Sequence, residues 1–198
     1  MKGKFHGEIR LAYLYAQLRY NIVVFIVCII KKCITGGIKM SKYENAMKMM
    51  EKLFGNGDKN TFIVLGTIKQ DNSDDGNPRP SVRIVNAIYY EGVFYVSTGL
   101  LKTKTLEIEK NNQVSFVTLG DAFGSLVTNG IADNLGWVMD EKNADIRDKM
   151  RTVFHEWWYD ENDENSPNSI VLRITPTNAV ITDNEERYEV DFTRQEVK

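Results

Sequence analysis

Two adjacent β-patterned runs restrict the fold of this chain more than any other feature. Residues 81–90 and 93–98 are rich in β-branched and aromatic side chains, and only Glu91 and Gly92 separate them. Runs of this kind that flank a two-residue turn pair as antiparallel strands, so the pattern predicts a β-hairpin. Gly99 ends the second run. Because of the predicted hairpin, we expect the middle of the chain to be antiparallel β-structure.

The rest of the body continues in short elements. Six further strands are predicted, at residues 61–69, 113–118, 125–134, 170–175, 179–182 and 188–192. Helices are predicted at residues 41–54, 104–111 and 140–158, the first with Ser41 as its N-cap. Gly130 is expected to mark a bulge or a close backbone approach. Many short strands with short turns and peripheral helices favour a closed antiparallel barrel within an α+β domain.

Charge is divided unevenly along the 198 residues. Residues 1–40 hold seven of the 25 Lys and Arg and one of the 27 Asp and Glu, so the other 158 residues carry a formal charge of −8. An acidic body lacks the basic face that binding to a nucleic-acid backbone requires. We therefore expect no nucleic-acid partner.

Cysteine and histidine are scarce where a catalytic site would need them. Cys28 and Cys33 both precede Met40, and His155 is the only histidine that follows it. The body therefore has no disulfide, thiolate nucleophile or Cys-ligated zinc. It also contains no Gly-x-Ser-x-Gly or His-Glu-x-x-His motif. We expect no metal site, and a cofactor would have to supply the chemistry that these residues do not.

Residues 1–39 differ in composition from the body, so the chain is divided into an N-terminal extension and one domain at 40–198. The apolar run 22–30 has nine residues, whereas a membrane span needs roughly 20; a weak anchor is one interpretation. We favour another, in which the two glycines shortly before Met40 are encoded by a GGAGG-like ribosome-binding sequence. Met40 would then be the true start, and no membrane location is expected.

A cluster of basic residues marks a candidate anion site. Lys102, Thr103 and Lys104 lie at the start of the predicted helix 104–111. A helix N-terminus presents unpaired N–H groups and the positive end of a dipole, which suits an anion. The cluster alone is also typical of a solvated basic turn. Arg83, on the neighbouring predicted strand, favours a phosphate site.

An ordered set of short motifs resembles the pyridoxamine 5′-phosphate oxidase-like family over roughly residues 41–192. The pieces are Pro80-x-Val82-Arg83-x-Val85, Phe94-Tyr95-Val96-Ser97-Thr98, Lys104 and Asn111-x-x-Val114-Ser115. Their order, rather than any single piece, carries the resemblance. It implies an FMN-binding antiparallel split β-barrel of about six strands, with Greek-key topology and peripheral helices. It also implies a homodimer with FMN at the interface.

The same resemblance implies roles for individual residues. The FMN phosphate would be held by Arg83 and Lys104. Further predicted contacts are backbone groups of Ile84, Val85 and Asn86 at the isoalloxazine edge, Ser97, the hydroxyls of Thr98 and Thr103, Lys102 at the rim of the phosphate site, and Ser125 near the flavin.

The C-terminal residues separate the chain from true pyridox(am)ine phosphate oxidases. Those enzymes end in an Arg-Leu-His-Asp-Arg-like segment that binds the substrate, whereas residues 188–198 contain no such element. The pair Thr103-Lys104 also stands where those oxidases have Arg-Lys. The general stress protein branch of the family is the closer resemblance, and its members often have no assigned substrate.

Three functions remain open from the sequence. The leading hypothesis is a cytoplasmic FMN-dependent oxidoreductase, in which hydride passes through flavin N5 between NAD(P)H or a small reduced substrate and an acceptor. The second is a flavin-binding stress or sensor protein without turnover. The third is a barrel that binds haem, another tetrapyrrole or a deazaflavin, with His155 the one obvious haem ligand in the body. No catalytic residue is predicted.

Several residues have both a structural and a functional interpretation. We expect His155 to have a structural or surface role. Trp137, Trp157 and Trp158 are candidates to stack on the isoalloxazine ring, but core or interface packing is favoured for at least two of them. The acidic run 160–164 is expected to be a solvated loop.

Overall fold

The computed structural model describes residues 40–69, 77–120, 124–161, 163–184 and 186–198. The two hypotheses for the N-terminal extension, a translated leader and a weak anchor, concern residues that lie outside these ranges. Among the residues inside them, none of the helices combines the length and the apolar character that a bilayer crossing requires.

Short helices surround a sheet of eight strands. The α-helices are α1 (Lys42–Phe54), α2 (Thr103–Lys110), α3 (Ala144–Val153) and α4 (Trp158–Glu161), and a 3-10 turn covers Glu141–Asn143. The strands are β1 (Thr61–Lys69), β2 (Arg79–Tyr90), β3 (Val93–Gly99), β4 (Gln113–Leu119), β5 (Ser125–Trp137), β6 (Ser169–Asp183), β7 (Glu186–Asp191) and β8 (Glu196–Val197). These elements confirm the predicted α+β class.

Pairing of β3 with β6 closes six of these strands into a barrel. The strand order is β3-β2-β1-β4-β5-β6, all the pairs are antiparallel, and β7 and β8 extend the sheet beyond β6. The part β3-β2-β1-β4 is a Greek key, because β4 returns to lie beside β1 after three consecutive strands. The predicted six-stranded split barrel is thereby confirmed.

The predicted hairpin between β2 and β3 is present with the expected turn. Tyr90 lies opposite Val93, and the two turn residues Glu91 and Gly92 have φ values of 48° and 87°. Two consecutive positive φ angles define a type I′ turn, whose twist matches that of paired strands. The turn therefore sets the register in which β3 returns along β2.

The barrel interior and α1 form the main core. Alternate residues of each strand point inward, among them Ile63 and Leu65 of β1 and Phe116 of β4. Ser41 begins α1 with a capping box, because its hydroxyl accepts from the Glu44 N–H at 3.1 Å and Glu44 accepts from the Ser41 N–H at 2.7 Å. The buried residues of α1 are Ala46, Met49, Met50, Leu53 and Phe54.

The outer side of the barrel is covered in one part and open in another. A second apolar cluster packs α3 and the adjoining residues onto the outer side of β2 and β6, and it includes Ile88, Val171, Met150 and Trp158. Elsewhere β1, β2, β4 and β5 carry exposed apolar side chains. We call this surface the open face; its residues are Phe62, Val64, Val82, Ile84, Val117, Leu119 and Val127.

The helix predicted at residues 140–158 is divided in the structure. It consists of the 3-10 turn, α3 and α4, and Asp140 makes no side-chain capping bond. Residues 154–159 contain four aromatic residues and a histidine, which are weak helix formers. Packing of Phe154 and Trp158 into the second cluster outweighs continuation of a regular helix.

Strand β6 is continuous where the sequence predicted two strands, at 170–175 and 179–182. It passes through Pro176, which lies opposite Gly130 at a register shift of β5. A proline without an N–H is tolerated at such an irregularity. A Cβ atom on Gly130 would come within 2.7 Å of the Thr175 carbonyl oxygen, so the expected bulge and close approach are both present.

Candidate functional site

One cavity gathers most of the predicted site residues. It has a volume of about 680 Å³ and lies where β2 and β3 meet the start of α2 and the residues that lead into β6. The predicted residues in its lining are Val85, Asn86, Ser97, Thr98, Lys102 and Lys104. A cavity of about 730 Å³ among β1, β2, β4 and β5 has no basic residue in its described lining. Charge rather than size therefore distinguishes the first cavity.

Lys104 extends from the first turn of α2 towards β3. Its Nζ donates to Thr98 Oγ1 at 2.7 Å. Burial lowers the pKa of Lys104, and the charges of Arg83 and Lys102 lower it further. The first N–H groups of α2 also lack partners within the helix. An anion that enters the cavity would therefore meet a partly dehydrated ammonium group and a helix N-terminus together.

Arg83 lies close to Lys104, but its guanidinium group is bound to a carboxylate, that of Glu107. Its Nη2 donates to Glu107 Oε2 at 2.7 Å and to Ser81 Oγ at 2.5 Å, and its Nη1 donates to Thr67 Oγ1. The Arg83 side chain is 21% exposed and that of Glu107 is 6% exposed. Burial raises the pKa of Glu107, but hydrogen bonds from Thr67 and Arg83 outweigh it and hold the pKa below its usual range. Glu107 is therefore a buried carboxylate anion.

The other predicted site residues lie outside the cavity lining. Ile84 belongs to the open face and is 70% exposed, and Thr103 is exposed beside Lys104. The Ser125 hydroxyl is 2.7 Å from the hydroxyl of Thr182, across the β5–β6 pair. The cofactor contacts assigned to these residues, to Arg83 and to the six lining residues stay predictions.

Apart from Trp157, which was one of three stacking candidates, the second wall of the cavity was not predicted from the sequence. It consists of Trp157, Asp163, Ser166, Asn168 and Ser169. Phe154 stacks on Trp157 with ring centroids 4.7 Å apart, so one face of the indole is covered and its accessible part borders the cavity. The Leu100 N–H donates to the Asn168 carbonyl at 2.7 Å. This bond and the adjoining β3–β6 pairing bring Asp163, from the acidic run that was expected to be a solvated loop, to the same cavity as the lysines.

Glu164 holds this wall against the rest of the protein. Its carboxylate accepts from Arg151 Nε at 2.8 Å, from Arg151 Nη2 at 2.6 Å and from the Trp158 indole N–H. Its backbone carbonyl accepts from Trp137 Nε1 at 2.9 Å. The hydrogen bond from Arg151 lowers the pKa of Glu164 more than burial raises it. Trp137 and Trp158 thus anchor the segment, whereas Trp157 borders the cavity.

The described lining of this cavity contains neither a histidine nor a group of potential metal ligands. His155 is exposed, its Nδ1 lies 3.2 Å from the Thr152 carbonyl oxygen, and it is not part of the cavity lining. Within the described ranges, no three His, Cys, Asp or Glu side chains are grouped so that they could hold a metal ion. The described lining therefore offers ammonium, hydroxyl, amide, carboxylate and indole groups.

Comparison with solved structures supports the fold. General stress protein 26 from Bacillus anthracis str. Sterne matches with a TM-score of 0.54 and 15% identity, over 74% of this chain and 99% of that one. A Clostridium acetobutylicum protein related to general stress protein 26 of B. subtilis, of the pyridoxinephosphate oxidase family, matches with a TM-score of 0.50 and 15% identity, over 78% and 96%. These two likenesses confirm the split-barrel fold expected from the resemblance.

A pyridoxamine 5′-phosphate oxidase-related, FMN binding protein from Nostoc punctiforme matches with a TM-score of 0.49 and 12% identity, over 82% of this chain and 97% of that one. No family model matches the chain, and no curated protein matches it.

Replacing Glu164 by Ala should destabilise the protein and loosen the wall that contains Trp157. The change removes the shared acceptor of Arg151 and Trp158, and we expect a loss of about 1–3 kcal/mol in the free energy of unfolding. Urea unfolding measures it. Glu156→Ala, at an exposed glutamate nearby, is the control and should change stability by less than about 0.5 kcal/mol. Equal effects of the two substitutions would contradict the role assigned to Glu164.

Proposed function

We propose that this protein binds FMN in the cavity beside α2 and acts as an oxidoreductase of the pyridoxamine 5′-phosphate oxidase-like kind. The main support is the meeting of Lys104, Lys102 and Thr98 at one cavity, with Arg83 close by. Cationic and hydroxyl donors in such a group fit a phosphomonoester dianion. The fold shared with general stress protein 26 agrees with this proposal.

The cavity residues would orient the two ends of FMN differently. The phosphate would contact Lys104 Nζ, the Thr98 hydroxyl and the first N–H groups of α2. The isoalloxazine ring would lie nearer Asn86 and Trp157, where the indole offers an aromatic surface for a planar ring. Once bound, the flavin would supply hydride transfer through N5.

The reductant in this proposal is NAD(P)H or a small reduced substrate. A flavin-binding stress or sensor protein would use the same cavity, so turnover decides between the two functions. The haem alternative has less support, because His155 is exposed and does not line the cavity. The cytoplasmic location stays a prediction.

The purified protein should bind FMN, and Lys104→Ala should weaken the binding. Loss of one charge-assisted contact is expected to cost about 1.5–3 kcal/mol, or about 10- to 150-fold in Kd. Arg83→Ala should also weaken binding, since it removes a cation and leaves the negative charge of Glu107 uncompensated. Fluorescence titration with FMN measures each Kd.

Lys110→Ala is the matched control, because Lys110 is an exposed lysine at the other end of α2. It should leave the Kd within about twofold of the original value. Unchanged FMN affinity in folded Lys104→Ala and Arg83→Ala variants would disprove the phosphate assignment.

If the protein is an enzyme, NAD(P)H should bleach the bound flavin. Under anaerobic conditions the flavin absorbance should fall when NAD(P)H is added, and it should return when an electron acceptor follows. Stopped-flow absorbance measures both steps. A flavin that stays oxidised with NADH, NADPH and a panel of small reductants would instead favour the flavin-binding stress or sensor protein.

We further propose that two copies of the chain associate through the open face. Its apolar side chains extend over four neighbouring strands, and Phe62 and Ile84 are 61% and 70% exposed. Large contiguous apolar surfaces are rare on monomers and mark interaction sites. Asn86 follows Ile84 on the same side of β2 and lines the cavity. A second copy on the open face would therefore border the proposed FMN site.

Phe62→Lys should convert the dimer to a monomer and weaken FMN binding, because it places a charge in the proposed interface. Light scattering coupled to gel filtration measures the mass. Tyr159→Lys is the matched control, since Tyr159 is 69% exposed but lies outside the open face; it should stay dimeric. A protein that is monomeric at all concentrations before substitution would refute the proposed dimer.

A further inference from the structure

We propose that Glu107 competes with the flavin phosphate for Arg83 and so sets the affinity of the phosphate site. This inference rests on the proposed function, since it concerns the same site. It assigns Glu107 a positioning role that acts through Arg83, rather than a contact with the flavin. The expected consequence is that bound FMN exchanges with free FMN in solution and is not held permanently.

Glu107 is placed by α2 directly against the guanidinium group. Its Oε2 accepts from Arg83 Nη2 at 2.7 Å and from the Thr67 hydroxyl at 2.5 Å. The other carboxylate oxygen, Oε1, is buried and has no hydrogen-bond partner among the described residues. A buried carboxylate with one unpaired oxygen is costly for the fold. Its presence beside the anion site suggests a role besides stability.

Glu107 and Ser81 both bind Arg83 Nη2, the nitrogen that a phosphate would need for a bidentate contact. Each accepts from Nη2, which carries two hydrogens. A guanidinium offers two edges for bidentate binding, Nε with Nη2 and Nη1 with Nη2, and both include Nη2. A phosphate therefore gains a bidentate contact with Arg83 only if one of the two acceptors gives way.

The charge of Glu107 acts in the same direction as this geometry. A phosphate bound to Arg83 would stand within about 5 Å of the carboxylate, at which distance like charges repel appreciably even at a high effective dielectric constant. The net attraction for the phosphate then comes mainly from Lys104 and Lys102. Without the negative charge of Glu107, Arg83 would contribute fully.

The test compares the Kd for FMN and for riboflavin in the full-length protein. Riboflavin has the same ring and ribityl chain but no phosphate, so the ratio of the two Kd values isolates the phosphate site. Glu107→Gln keeps the side-chain shape and an acceptor for Arg83 but removes the charge. We expect it to tighten FMN binding by at least about fivefold and to leave riboflavin binding unchanged. The FMN dissociation rate should fall in parallel.

Glu109→Gln is the matched control, because Glu109 is an exposed glutamate on the same helix. It makes the same change in net charge and should leave both Kd values within about twofold, since an exposed charge is screened. A change that is equal in Glu107→Gln and Glu109→Gln would mean that net charge, rather than Arg83, is responsible, and would overturn the inference.

The remaining outcomes separate the inference from the proposed function. If the unsubstituted protein binds FMN but a folded Glu107→Gln variant binds FMN equally well or more weakly, the role of Glu107 is overturned and the proposed function is not. If the unsubstituted protein does not bind FMN, the proposed function is overturned as well.

If Glu107→Gln does not fold, Glu107→Asp provides the second test. It withdraws the carboxylate by one methylene and should tighten FMN binding by about twofold or more, and an unchanged Kd overturns the inference.

Discussion

Pairing of β3 with β6 is the interaction on which the rest of the structure depends. It closes the six-stranded barrel, and it places Thr98 opposite Ile170 and Gly99 opposite Ser169. The residues that precede β6 are thereby brought beside the start of α2, where the Leu100 N–H binds the Asn168 carbonyl. The cavity is thus a consequence of barrel closure, because its two walls come from chain segments that only this pairing brings together.

The arrangement of charged groups around the cavity follows from the position of α2 on the barrel. Arg83 is an inward-facing residue of β2, and α2 presents Glu107 and Lys104 towards it from successive turns. Residues three apart on a helix share one side, so one cation and one anion meet the same guanidinium. The arrangement leaves Arg83 compensated, whereas the ammonium group of Lys104 is bound to the neutral hydroxyl of Thr98. An anion would therefore find most of its attraction at Lys104.

Local patterns predicted the barrel and the basic residues of the cavity, the family resemblance implied the other residues of one wall, and long-range contacts account for the rest. The type I′ turn at Glu91 and Gly92 and the alternation along β2 and β3 depend on neighbouring residues, so the sequence was sufficient there. The wall at Trp157 depends on β6 returning to β3. The contact between Glu107 and Arg83 was also not predicted, because the spacing within α2 shows which side Glu107 shares with Lys104 but not that the Arg83 side chain reaches that side. Continuity of β6 through Pro176 depended likewise on its partner, Gly130.

The lowered pKa of Lys104 connects the fold to ligand binding. Burial and the charges of Arg83 and Lys102 disfavour the ammonium form in the folded protein. Below this lowered pKa the charged lysine therefore reduces stability, and the loss disappears as pH rises from the folded towards the higher unfolded pKa. A bound phosphate would have the opposite effect, because its negative charge would favour the charged form of Lys104. The proposed phosphate binding and the protonation of Lys104 would thus favour each other, and a ligand that restores the charge of this lysine would also stabilise the start of α2 that carries it.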